Sequence, residues 1–359
     1  MAFVKNAWYV AGWSSEFDQQ FRCVTVLDEN LLMFRKQDGT VVALEDRCPH
    51  RQLPLSLGKR IDDTVQCGYH GMTFNAAGEC VRIPGQDRIP ATACVRPYRI
   101  IEKNHIVFVW MGDAETADES SLFELPQLDA AGWRAHQGDL LHIQANYQSV
   151  AENLVDPAHV SFVHPTTLGN AASEDVAVDV DTSGDVLAAW RWIRDAPPVG
   201  FFREFGGFTG HVDRWHYYYL HLPSIAVIDF GSAGTERALA EADRDDGMRI
   251  FALHFLTPVN EHYTIDRWMH VRNVALDDES ASEKMDALFR IAFDEDKTIL
   301  EAIEARERQE RELSVTEGRP LRKPLRLAID RAPTVYRQRI ASSIKQEQEQ
   351  VANSAAATT

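Results

Sequence analysis

Short β-prone runs separated by turn signals fill the first third of the chain. Apolar residues crowd into Cys23–Leu27, Leu31–Phe34, Val41–Leu44 and His105–Trp110, with Asp38-Gly39 and Ala77-Gly78 as turns. This pattern predicts an all-β domain over 1–118. The acidic stretch Gly112–Ser121 reads as a linker or the start of a covering loop. Beyond it the pattern is mixed. Apolar positions three and four apart predict a helix over 144–164. Longer strands are expected over 183–192, 213–230, 248–257 and 262–274, and the aromatic-rich Trp215–Leu222 is strongly β-prone. A long amphipathic helix is expected from about Ser282 to Glu312, with its charge run Glu304–Glu312 as a solvated face. One short helix should follow Tyr336, and the tail from Val351 should fray. The fold class is therefore α+β, with an all-β domain (1–118), a mixed domain (119–345) and a C-terminal tail (346–359).

Length agrees with this division, since 359 residues correspond to about two domains. Thirty-seven Lys and Arg against 54 Asp and Glu leave a net charge of −17. Such a surface repels nucleic-acid phosphates and anionic lipid, and suits a basic protein partner docking transiently. No run of about 18 apolar residues is present, which argues against a transmembrane helix. Met1–Asn6 lacks the form of a signal peptide, so a cytoplasmic protein is expected. The five cysteines are an odd count in a large chain, which points to metal, catalysis or burial rather than a disulfide framework.

Two of those cysteines come with histidines. Cys48-Pro49-His50 is followed, after sixteen intervening residues, by Cys67-Gly68-Tyr69-His70. Zinc fingers usually group Cys with Cys and His with His, whereas here the types interleave. Interleaving suits a [2Fe–2S] cluster in which one iron takes two thiolates and the other two imidazoles, which raises the potential. A structural zinc site, or unrelated buried cysteines with surface histidines, are the alternative readings. Cys23, Cys80 and Cys94 have no partner at ligand spacing and read as buried small hydrophobes.

A second constellation lies in the mixed domain. Asn153, Asp156 and His159 are three apart and would share one face of a helix. His164 follows His159 by five, off-face on a regular helix, so a shared metal requires a π-type turn or a helix that ends between them. Pro165 blocks continuation. Two histidines call for a third ligand. On the long C-terminal helix Asp296 lies three and four residues from Phe293, Ala292, Ile299 and Leu300, so its face is expected to be buried. Asp294 and Glu295 are less well placed. Two His and one carboxylate with open positions form the facial triad of non-haem Fe(II) oxygenases. A histidine with an ordinary structural partner remains the alternative for His159.

Together, in this order and over nearly the whole chain, the two motifs resemble the oxygenase (α) subunits of Rieske non-haem iron oxygenases. The pattern Asn-x2-Asp-x2-His-x4-His is present as Asn153, Asp156, His159 and His164. Asn6–Ala11, Cys80–Gly85 and Gln144–Gly169 resemble the short members, the vanillate and dicamba O-demethylases and toluenesulfonate methyl-monooxygenases. The resemblance implies an N-terminal Rieske domain and a C-terminal helix-grip catalytic domain, with Asp296 as the carboxylate ligand. It implies a head-to-tail homotrimer in which Asp156 bridges cluster ligand His70 of one subunit to iron ligand His159 of the next. It also implies a separate flavin and [2Fe–2S] reductase that supplies electrons from NAD(P)H. O2 and a small aromatic acid are the expected substrates, with hydroxylation or O-demethylation as the reaction. Ring cis-dihydroxylation is one alternative; an electron-transfer protein without catalytic iron and a zinc-bearing binding module are others. By rough alignment Ile228, Gly231 and His254 fall near pocket-lining positions. His254 resembles a histidine suited to a substrate carboxylate, while apolar Ile228 stands where the dicamba type has a polar amide. Of Tyr217, Tyr218 and Tyr219, either the middle residue or the flanking pair faces inward.

Overall fold

The computed structural model describes residues 3–322 and 324–357. The chain divides into two units, Met1–Leu122 with Thr257–Asn260, and Phe123–Leu256 with Glu261–Thr359. The first holds β1 (Trp8–Trp13), β2 (Arg22–Val26), β3 (Glu29–Arg35), β4 (Val41–Glu45), β5 (Lys59–Ile61), β6 (Thr64–Gln66), β7 (Thr73–Phe74), β8 (Cys80–Arg82), β9 (Pro97–Lys103) and β10 (Ile106–Trp110). They form a six-stranded sheet in the order β1-β10-β9-β4-β3-β2 and a four-stranded sheet β5-β6-β7-β8. A core cluster joins residues of both, with Leu32, Phe34 and Leu44 packed in one group with Val65 and Phe74. Cys48 and Cys67 belong to the same cluster, so the two loops that carry them are rooted in the core.

Cys23 and Cys94 are exposed and Cys80 is half-buried, contrary to the expectation of buried cysteines. Cys23 lies near the start of β2, the edge strand of the six-stranded sheet, whose first two residues are both exposed. The acidic stretch after Gly112 is built rather than slack. Asp113 and Asp118 cap two short 3-10 turns by accepting from the backbone N–H groups of Glu115 and Ser120, and Trp8 Nε1 donates to the Asp118 carbonyl at 2.8 Å.

The second unit is built on a seven-stranded sheet flanked by helices. Its elements are β11 (Arg134–Ile143), α1 (Tyr147–Asn153), α2 (Val160–Val163), β12 (Asp179–Asp181), β13 (Val186–Ala196), α3 (Gly200–Gly206), β14 (Val212–His221), β15 (Ile225–Gly234), β16 (Met248–Asn260), β17 (Tyr263–Arg272), α4 (Glu279–Glu317) and α5 (Arg331–Ala357). The strand order is β11-β17-β16-β15-β14-β13-β12. α4 buries Met285, Phe289, Ala292, Phe293, Asp296 and Leu300, a stripe at helical spacing. Asp278 accepts from the Ala281 N–H at its start, and Gly318 ends it at φ 65°.

Four expectations change here. The helix over 144–164 is broken into α1 and α2, so Asn153, Asp156 and His159 do not share a helical face. The run 213–230 is a hairpin, turned at Leu222-Pro223-Ser224, because a proline cannot continue a central strand. Glu304 is buried rather than solvated; His262 Nδ1 lies 2.8 Å from it and Arg311 3.0 Å. α5 begins before Tyr336 and runs through Val351 to Ala357, where the alanines favour helix; Thr358 and Thr359 lie outside the described residues.

Candidate active site

The loops that carry the two Cys-His pairs repeat one hydrogen-bond pattern. Cys48 N–H donates to the Leu53 carbonyl at 2.9 Å, and Gln52 N–H returns to the Cys48 carbonyl at 2.9 Å. Cys67 N–H donates to Met72 at 2.8 Å, and Gly71 N–H returns to Cys67 at 3.1 Å. Each loop therefore spends a positive φ four residues after its cysteine, 59° at Gln52 and 72° at Gly71. Asp46 braces the first loop by accepting from the Ser56 N–H and hydroxyl, both at 2.7 Å. The result is two buried thiols and two exposed imidazoles, whose rings are 4.5 Å apart. Burial pushes the Cys48 thiol up, the His50 N–H opposes this, and the neighbouring Cys67 thiol adds to it. Matched loops that each offer one buried sulfur and one outer nitrogen fit a dinuclear cluster with unlike iron ends.

In the second unit the remaining three ligand candidates converge. Donor atoms of His159, His164 and Asp296 all lie within 4.8 Å of one another. His159 Nε2 is 3.5 Å from Asp296 Oδ1, and His164 Nε2 is 3.2 Å from Asp296 Oδ2. The five-residue spacing works because the helix ends between them. His159 caps the start of α2, and His164 follows its last residue at φ −117°, ψ 48°, with Pro165 next. Asn153, the last residue of α1, donates from Nδ2 to Asp296 Oδ1 at 3.1 Å. Asp156 sits in the turn between the helices. Its Oδ1 accepts from the Ala158 N–H at 2.8 Å, and its Oδ2 is 3.8 Å from His159 Nδ1. That nitrogen is buried with no hydrogen-bond partner.

Glu295, set aside in the sequence as a less well placed ligand, has a different role. Its Oε2 lies 2.8 Å from His164 Nδ1, on the opposite side of the ring from Asp296. A carboxylate at Nδ1 keeps a proton there, so that Nε2 would be the nitrogen offered to a metal, which is how outer partners orient metal-binding histidines. Burial opposes ionisation of Asp296, but the hydrogen bond from His164, the two imidazoles and Asn153 outweigh it and hold the carboxyl below its usual range. Burial likewise disfavours charge on His164, and the carboxylates of Asp296 and Glu295 overcome it. Two imidazoles and one ionised carboxylate around one point fit a divalent iron with open positions. His136, His270 and Asp286 form another group of this composition, none of them among the residues that line the cavity described next.

A mostly apolar cavity adjoins the triad. Its sheet wall comes from one face of three neighbouring strands, His216 and Tyr218 on β14, Ile228 and Phe230 on β15, Ala252 and His254 on β16. Phe289 and Phe293 of α4 close the other side. Tyr218 is thus the inward tyrosine, and Tyr217 and Tyr219 stack on the far face beside Trp190. Ile228 and His254 are in the wall. Gly231 is not among the lining residues; it falls on the opposite face, where a Cβ would come within 2.0 Å of Trp215. The alternation of β15 explains the difference, since Ile228 and Phe230 point one way and Gly231 the other. His254 Nδ1 is 2.7 Å from Asp266 Oδ2, and its Nε2 is buried and unpartnered. His216, unforeseen from sequence, is pushed well below its ordinary pKa by burial and by nearby Arg191 and Arg214, so it stays neutral.

Residues 7–98 match the Rieske [2Fe-2S] domain, and residues 143–346 match the vanillate O-demethylase oxygenase C-terminal domain. The toluene-4-sulfonate monooxygenase system iron-sulfur subunit of Comamonas testosteroni is 38% identical over 84% of this chain and 88% of its own. A vanillate O-demethylase oxygenase subunit of Pseudomonas sp. is 30% identical over 97% of this chain and 96% of its own. The crystal structure of dicamba monooxygenase bound to 3,6-dichlorosalicylic acid superposes with a TM-score of 0.85 at 27% identity, covering 97% of this chain and 99% of that one.

Proposed function

The chain belongs to the Rieske non-haem iron oxygenases, as an oxygenase subunit, and we propose that it hydroxylates or O-demethylates a small aromatic acid. The observation that carries this reading is the convergence of His159, His164 and Asp296 beside a cavity walled by Phe230, Phe289 and Phe293. Cys48, His50, Cys67 and His70 would hold the [2Fe–2S] cluster, and the triad would hold Fe(II). When bound, the cluster supplies single electrons and the iron supplies O2 activation.

The protein's own groups set the conditions for that chemistry. Glu295 fixes the His164 ring with its lone pair inward, and Asn153 steadies Asp296. The phenylalanines exclude water from the reacting carbon and hold an aromatic ring. For a methoxy substrate, hydroxylation of the methyl carbon leaves a hemiacetal, which collapses to a phenol and formaldehyde.

Asp156 is the proposed link to the second metal site. Its side chain is partly exposed in the turn beside His159. In a head-to-tail homotrimer its carboxylate would also meet His70 of a second copy and tie the two centres together. A solution mass of about three chains supports this arrangement; a monomer removes it. The −17 charge suits docking of a flavin and [2Fe–2S] reductase that draws on NAD(P)H, in the cytoplasm. Among the described residues no helix is long and apolar enough to cross a membrane.

The deciding assay supplies NADH and a generic reductase with methoxybenzoates, toluates, toluenesulfonates and phthalates. Formaldehyde equal to oxygen uptake identifies an O-demethylase. Uptake without formaldehyde identifies hydroxylation when the product gains one oxygen atom, and ring dihydroxylation when it gains two. No uptake with any of these acids refutes the aromatic-acid reading.

A further inference from the structure

The second group of two imidazoles and one carboxylate sits where α4 meets the β11–β17 pair. His136 on β11 and His270 on β17 are direct partners in the antiparallel register, so both rings stand on one face of the sheet. Their centroids are 5.3 Å apart. Asp286, near the start of α4, reaches both. Its Oδ2 is 3.0 Å from His136 Nε2, and its Oδ1 is 3.2 Å from His270 Nε2. Donor atoms of the three residues all lie within 4.8 Å of one another.

This arrangement repeats the triad beside the cavity. There too each imidazole offers Nε2 to a different oxygen of one α4 aspartate, at 3.5 and 3.2 Å. Hydrogen bonding alone does not account for the second group. The His136 contact is aligned as a hydrogen bond, and the His270 contact is not. Among the described residues, His270 Nε2 and Asp286 Oδ1 are both buried without a hydrogen-bond partner, although they lie side by side. A ring nitrogen and a carboxylate oxygen that stand together without aiming at each other are both answered by one shared cation. Ligands of a tetrahedral zinc ion stand about 2.1 Å from it and roughly 3.4 Å from one another, close to the separations seen here.

The site is reachable from solvent. The His136 and Asp286 side chains are 25% and 28% exposed, while His270 closes the inner side. Water can therefore complete the fourth position of the ion. The arginines that flank the histidines on the same face are held by other acceptors. Arg134 pairs with Glu279 and donates to the Leu276 carbonyl at 2.6 Å. Arg272 donates to the carbonyls of Val274, Ala275 and Asp278, each at 3.1 Å. These contacts fix the entry of α4. A cation at Asp286 would fix the helix further on, one turn before the cavity residue Phe289 and ten residues, roughly 15 Å, before Asp296.

We propose that His136, His270 and Asp286 bind a second divalent cation, zinc, which pins α4 to the β11–β17 pair. Two imidazoles and a carboxylate hold zinc more tightly than ferrous iron. None of the three residues lines the cavity, so the ion supports the helix that carries Glu295 and Asp296 and takes no part in the reaction.

The test uses holoenzyme that carries about three irons per chain, so that both other centres are filled. It is dialysed against Zn2+ and analysed for both metals. About one zinc per chain beside unchanged iron is expected, with two imidazoles and no sulfur in the zinc X-ray absorption spectrum. Asp286→Asn and His136→Gln alter partly exposed side chains. Each should weaken zinc binding by more than the roughly 10-fold that loss of an outer partner costs, with the iron count unchanged. Bound zinc should also slow hydrogen exchange in the first turns of α4 in the parent and not in Asp286→Asn. No retained zinc, zinc that only replaces iron, or equal retention in both variants overturns the site. Exchange that bound zinc does not alter overturns the pin. If neither variant folds, the parent's zinc spectrum decides: two imidazoles with oxygen support the site, and sulfur or a single imidazole overturns it.

Discussion

The imidazole of His164 is held between adjacent residues of one helix, with Glu295 2.8 Å from its Nδ1 and Asp296 3.2 Å from its Nε2. Consecutive positions on α4 point about 100° apart, and the ring spans that gap. One acid holds the proton on Nδ1 while its neighbour faces the point on which His159, His164 and Asp296 converge.

Glu295→Ala should therefore lower iron affinity roughly 10–100-fold, with Glu295→Gln milder because an amide oxygen still accepts from Nδ1. Titrating apo-protein with Fe(II) under anaerobic conditions measures this. Unchanged affinity in the alanine variant would show that the contact does not orient the ring.

Asp296→Ala should remove the mononuclear iron and spare the cluster. Total iron then falls from about three to about two per chain, with the visible spectrum of the cluster retained. Iron analysis beside absorption spectra reads both at once. An intact iron count would place the third ligand elsewhere.

Asp156→Ala should leave both centres loaded and still abolish turnover, on the order of 100-fold or more. In the single chain the Oδ2 atom of Asp156 stands 3.8 Å from His159 Nδ1, the nearest carboxylate oxygen to that unpartnered nitrogen and not yet hydrogen-bonded to it. Single-turnover reduction of the iron from a prereduced cluster separates electron transfer from substrate binding. Normal activity would remove the bridge.

His221 supplies a stability prediction remote from the metals. Burial pulls its pKa down to about 4, and its ring meets Phe123 edge-on. The unfolded chain takes up this proton near pH 6.5, while the folded one resists until about 4. Its contribution is thus fully present above about pH 6.5 and is lost as pH falls toward 4. His221→Gln should flatten that part of the profile, by up to roughly 3 kcal/mol at pH 4. Urea unfolding between pH 4 and 7 measures it, and parallel profiles for parent and variant would contradict it.

Both constellations were legible in the chain because their candidate ligands are grouped locally. Cys48 with His50, Cys67 with His70, and His159 with His164 are each close enough that a single loop sets their geometry. Asp296 could be picked from three neighbouring acids because helical periodicity buries its face. The division into an all-β and a mixed part followed from period-two and period-three-to-four patterns.

What local pattern could not carry was decided by packing across elements. The break between α1 and α2, which separates Asn153 from His159, is set by the turn at Asp156 and not by apolar spacing. Glu295 became a partner only because His164 leaves α2 at its end and turns its Nδ1 toward α4. Gly231 left the cavity and His216 entered it through a strand parity that the sequence alone did not reveal. Arg191 and Arg214, 23 positions apart by their numbering, face one another's strands only through the β13–β14 register. A chain specifies its ligands through short-range spacing, but which side chain faces which depends on register and helix contact, and those form only when the sheet closes over α4.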